Sequence, residues 1–118
     1  MIIRLKSIHA NVVNESEVID GSKISALIKV GYSYNKDKKL EIDYHISLIQ
    51  HNKNVFVVKI NYLVEESVNQ NNEKDMLDKA VSQLEKRIEL ILGMLCDEIG
   101  INLLSWLLFS QLSNKLIK

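Results

Sequence analysis

The chain has 118 residues, 47% of them apolar and 25% charged, with fifteen basic side chains against fifteen acidic ones. That length fits one domain over residues 1–118, with a real core but enough uncovered surface that association with further copies would help bury it. A net charge of zero supplies no long-range field for a polyanion or an anionic membrane, which argues against nucleic acid as a partner.

Residues 2–13 are rich in β-branched and aliphatic side chains and read as a first strand, although their alternation is imperfect. A polar connection, 14–21, follows. Over 23–34, Ile24, Ala26, Ile28, Val30, Tyr32 and Tyr34 share one face of a second strand. The run Asn-Lys-Asp-Lys-Lys at 35–39 is a turn whose polar residues tolerate unusual backbone angles. Its lysines, Lys36, Lys38 and Lys39, form the one local cluster of basic residues. In 40–50, Leu40, Ile42, Tyr44, Ile46 and Leu48 alternate with Glu41, Asp43, His45 and Ser47. In 54–65, Phe56, Val58, Ile60, Tyr62 and Val64 alternate with Val55, Val57, Lys59, Asn61 and Leu63. Successive strands joined by short turns pair antiparallel. The first half therefore predicts a four-stranded antiparallel sheet with one oily and one wetter face. Eleven residues at ~3.3 Å each span roughly 36 Å, and an edge of that length invites pairing with another chain.

Residues 69–75 read as a solvated connection ending in a helix start. Asn72 is the expected N-cap, Asp75 fills the capping-box position, and Glu73 adds negative charge at the positive helix end. Leu77, Ala80, Val81, Leu84, Ile88, Ile91, Leu92 and Leu95 then follow helical spacing up to Gly100, the natural stop. A helix of about 26 residues is ~39 Å long and can cover the oily face along its whole extent. Gly93 inside it costs ~1 kcal/mol against alanine. Close packing of the helix on the sheet or on a partner helix accounts for it; crossing by a helix of another subunit is the functional alternative.

In the tail, Leu104, Leu108, Leu112 and Leu116 recur every four residues, while Trp106, Leu107 and Phe109 point elsewhere. This predicts a short second helix, apolar nearly all round, in the core, in a subunit interface or as a flap over an apolar groove. The run is too short, and too interrupted by Asn102, Ser105 and Ser110, to span a bilayer. The N-terminus lacks the pattern of a secretory signal, so a cytoplasmic protein without membrane insertion is expected.

No catalytic constellation is legible. The chain holds no G-x-x-x-x-G-K, G-x-G-x-x-G, C-x-x-C, H-E-x-x-H or G-x-S-x-G. Its single cysteine, Cys96, sits in a helical pattern and reads as a small buried hydrophobe. Glu41, Asp43 and His45 lie on one strand face ~7 Å apart. A solvated sheet face explains them more simply than a metal, because metal ligands converge from several elements. No enzyme activity, cofactor or metal is therefore assigned. Aromatics on a sheet can stack nucleobases, but such platforms carry a basic surround that this sequence does not show. Tyr44, Phe56 and Tyr62 on the strands, with Leu104, Trp106 and Phe109 in the tail, are the candidate contacts for an apolar polypeptide.

The order of elements, with Lys-Arg-Ile-Glu-Leu-Ile-Leu-Gly-Met-Leu-Cys-Asp-Glu-Ile-Gly-Ile-Asn-Leu-Leu at 86–104 running from helix through glycine into an apolar segment, resembles the SecB-like fold of export chaperones. The hairpin 40–65 stands where that family has its third and fourth strands. The resemblance implies an α+β fold, a dimeric or tetrameric scaffold, apolar grooves between sheet and helix, and binding of unfolded polypeptide. Small proteins of Gram-positive bacteria and chaperones of toxin–antitoxin systems belong to the same group, and the abundance of Asn, Lys and Ile fits an AT-rich bacterial or phage genome. The chain departs from the pattern in having no proline, hence no Phe-Pro-Tyr, and in showing only Glu41 and Asp43 where the family's sheet is strongly acidic. A second function class is a regulator that blocks one folded target.

Overall fold

The structure, a computed structural model, describes residues 1–13, 25–50, 52–66 and 71–99. Four strands, β1 (Ile3–Val12), β2 (Ser25–Tyr34), β3 (Leu40–Gln50) and β4 (Lys53–Val64), are followed by one helix, α1 (Glu73–Ile99). The strands form an antiparallel sheet in the order β1-β4-β3-β2, so β1 and β2 are its edges. The fold is α+β, as the alternation and the helical spacing predict. The expected second helix, with Leu104, Trp106 and Phe109, lies outside the described residues.

Turn chemistry sets the hairpins. Asn35 Oδ1 accepts hydrogen bonds from the backbone N–H groups of Asp37 (2.9 Å) and Lys39 (3.0 Å), folding the link between β2 and β3. Lys38 closes this turn at φ 61°, a left-handed angle that glycine adopts at least cost. The β3–β4 register brings Ile42 opposite Tyr62, Tyr44 opposite Ile60 and Ile46 opposite Val58. Both alternating sets of the hairpin thus fall on one face, and all of their members from Leu40 to Leu48 and Phe56 to Val64 are buried.

α1 supplies the cover. Asn72 stands just before it, and its carbonyl accepts the first helical bond, from Met76 N–H at 2.9 Å. Asp75 pairs with Lys79 one turn on, at 3.1 Å. Glu73 instead reaches the sheet, accepting hydrogen bonds from the hydroxyls of Tyr32 and Tyr34 at 2.7 Å each. Along the helix Ala80, Leu84, Ile88, Leu92 and Cys96 are all buried. A repeat of four advances about 40° round the helix at each step. The contact line therefore winds, as it must when a straight helix lies on a twisted sheet. Cys96 is buried in the core, and burial, with Asp97 beside it, pushes its thiol up to about 12.

Among the described residues Gly93 does not pack on the sheet, which leaves a partner helix as the packing expected there. A Cβ built there would meet no atom within 4 Å. Gly93 follows Leu92 by about 100° of helix rotation, which sets it on a flank of α1 beside the contact line through Leu92 and Cys96.

Candidate functional site

β1 is where the cover fails. Its first pairs with β4 run Ile3 opposite Val64 and Leu5 opposite Tyr62, then a bulge shifts the register so that Ser7 meets Asn61 and Ile8 meets Ile60. Lys6 is the extra residue, and its ammonium bonds Glu41 on the outer face at 3.0 and 3.1 Å. The bulge lets Leu5, Ile8, Ala10 and Val12 all share the inner face with the buried residues of β4. They are nevertheless open: Leu5 is 49% exposed, Ile8 and Val12 38% each.

The helix makes one wall of this opening. Gln83 and Arg87 reach backbone carbonyls of β1, the guanidinium donating to Ile3 O and the amide lying 3.5 Å from Met1 O. Ile91 and Leu95 continue the same flank at four-residue intervals and are half-buried against the core. The four helical residues from Gln83 to Arg87 rise ~6 Å, and the two residues from Met1 to Ile3 cover ~6.6 Å. On these rises helix and strand advance together, so the flank that carries Ile91 and Leu95 continues alongside the stretch of β1 that holds Leu5 and Ile8. The result is an apolar furrow with β1 as floor, α1 as one wall and the outer backbone edge of β1 as open rim. Further round the helix, the apolar surface continues on its back, where Leu90 is 74% and Met94 59% exposed on either side of Gly93.

The sequence-derived strand contacts occupy a different depth. Tyr44, Phe56 and Tyr62 lie beneath α1, each no more than 2% exposed. Tyr44 and Tyr62 meet edge to face, ring centres 6.2 Å apart. Among the described residues their hydroxyls have no hydrogen-bond partner, and burial raises both above tyrosine's ordinary range, opposed at Tyr62 by the Arg87 charge. Leu5, Ile8 and Val12 were not singled out by alternation, because the bulge at Lys6 breaks it. The available signal was the phase change itself: Ile3 and Leu5 on one parity, Ile8, Ala10 and Val12 on the other.

On the outer face, Glu41 is engaged by Lys6 and Asp43 by the Asn61 amide. His45 is exposed beside them. Among the described residues no three His, Cys, Asp or Glu side chains converge as a metal site would need, and no helix is long and apolar enough to cross a membrane.

No family model and no curated relative matches the sequence. Among solved structures, the chain superposes on a SecB-like chaperone of Mycobacterium tuberculosis, solved in complex with a ChAD peptide from the HigA1 antitoxin. The TM-score is 0.59 at 13% identity, over 88% of this chain and 84% of that one. The chain has a SecB-like fold. Its four-stranded antiparallel sheet and long helix are those that the element order and the hairpin 40–65 led us to expect; the pairing of β1 with β4 rather than with its sequence neighbour β2 is added by the structure.

Proposed function

We propose that this SecB-like chain is a non-enzymatic, chaperone-like binder of unfolded or apolar polypeptide segments, working in the cytoplasm. The open β1 furrow carries the reading. It combines a strand edge that is unpaired among the described residues with exposed Leu5, Ile8 and Val12 beside a helix flank. An extended segment adds alongside β1 by backbone hydrogen bonds and turns every second side chain into the furrow. Tyr44, Phe56 and Tyr62 form a rigid layer beneath α1 that backs the furrow, and Leu104, Trp106 and Phe109 add apolar contact to the client. The fold shared with a chaperone that holds an antitoxin peptide is in keeping with this.

A second copy takes the other apolar surface. Leu90 and Met94 are exposed on the back of α1, and Gly93, about 60° round from Leu90, leaves open space beside them into which a second helix fits. Dimers or tetramers assembled through this surface leave the β1 furrows free for client.

The test measures suppression of aggregation of a chemically unfolded protein, and binding of a labelled apolar peptide by fluorescence anisotropy. Ile8→Asp places a charge in the furrow and should abolish both while the melting temperature stays within a few degrees of the unsubstituted chain. Equal activity of the two proteins would refute the furrow. Tight capture of one folded target, undisplaced by excess unfolded protein, would make the chain a specific regulator instead.

A further inference from the structure

The outer face of the sheet carries a second surface of different chemistry. The registers place Lys29 opposite His45, His45 opposite Lys59 and Lys59 opposite His9. One basic or basic-capable side chain from each of the four strands thus stands in a single row across the sheet, and all four are exposed. Directly opposed side chains are ~5 Å apart, so the row spans about 14 Å. The four residues are far apart in sequence, and only the strand order assembles them. At the other end of the same face the cations are neutralised: Lys6 by Glu41, Lys39 and Arg4 by Glu65. In the row, no carboxylate is interleaved, and among the described residues none of the four is hydrogen-bonded or ion-paired. The nearest acid on the same strand as His45, Asp43, accepts from the Asn61 amide.

We infer that this row docks an acidic polypeptide segment, independently of the apolar furrow. The sheet fixes the four backbone positions, so little ordering is left for binding to require beyond the side-chain stems. A segment lying across the strands with carboxylates at alternate positions, ~7 Å apart, comes within reach of Lys29 and Lys59, whose strands stand ~10 Å apart and whose long stems take up the difference, with the imidazoles between and beside them. A nucleic acid fits less well. The described sheet aromatics Tyr44, Phe56 and Tyr62 face away beneath α1 and offer no base a stacking surface. Asp43 and Glu41, further along β3, also face any phosphate chain that tracks the strand direction.

The experiment uses the full chain and a fluorescein-labelled peptide of alternating Glu and Gly that carries no apolar side chain. Binding by anisotropy should be saturable at low salt and weaken as salt screens it. Lys29→Glu with Lys59→Glu should weaken it roughly tenfold or more, with melting by circular dichroism unchanged, while Lys29→Arg with Lys59→Arg retains it. Binding of the apolar client should be unaffected by the Glu pair, and Ile8→Asp should leave the acidic peptide bound, so the furrow and the row fail separately. No salt-sensitive binding, or equal binding by the Glu pair, would overturn the inference. Tighter binding of an oligothymidylate of matched charge would replace the acidic peptide with nucleic acid.

Discussion

Gly93→Ala separates the chain's own needs from those of the proposed assembly. In a single copy the new methyl group meets no atom within 4 Å, so no steric cost offsets the gain in helix propensity. That gain is ~1 kcal/mol, which for a chain of this size raises the melting temperature by roughly 3–6 °C. Between copies the sign reverses. A methyl group forced into a close helix crossing costs about 1–3 kcal/mol, and a symmetric crossing meets it twice. Thermal melts at high dilution should therefore show a stabilised chain, and light scattering after size exclusion should show weakened association at concentrations where the unsubstituted protein assembles. A lower melting temperature in the dilute protein would mean that the glycine is needed within the chain. Unchanged assembly would remove Gly93 from the subunit contact.

Lys38→Gly relieves the left-handed angle of the β2–β3 turn and should stabilise the protein by about 1 kcal/mol in denaturant titration. Tyr44→Phe removes a buried hydroxyl that has no partner among the described residues, and should be neutral or stabilising by up to ~1 kcal/mol. Desolvation, then the hydrogen bond to Glu73, pushes Tyr34 up to about 12 from an ordinary 10.0, and burial raises Tyr44 and Tyr62 as well. Groups raised on folding stabilise the protein below their unfolded value, so stability should be full below pH 10 and fall as pH climbs from 10 towards 12. Ultraviolet titration of the tyrosinates alongside unfolding curves checks this. Trp106→Ala should weaken client binding while stability is largely kept; loss of the fold would return Trp106 to the core.

The sheet and its cover were legible because strict alternation in 40–50 and 54–65, and helical spacing from Leu77 to Leu95, each leave one way to bury the apolar set. Where the rule is broken by one residue, the pattern misleads. Lys6 hides the common face of Leu5 and Ile8, and so the furrow. A glycine inside a helical pattern points to close packing on the sheet or on a partner helix, but spacing alone does not say which; at about 100° round from Leu92, Gly93 stands beside the line that meets the sheet. The row of Lys29, His45, Lys59 and His9 could not be read at all from the chain, since it exists only through the register of three strand pairs.

The polar fastenings of α1 to the sheet, Glu73 on Tyr32 and Tyr34 and Arg87 on Ile3, all belong to its first fifteen residues. Beyond Arg87 the described contacts are apolar, and apolar contact has no preferred direction. The helix is thus riveted at its head and merely rests at its foot. If the proposed function holds, clients of unequal bulk are admitted beside Ile91 and Leu95 by a small sideways slide of that foot, with no directional bond among the described residues to break.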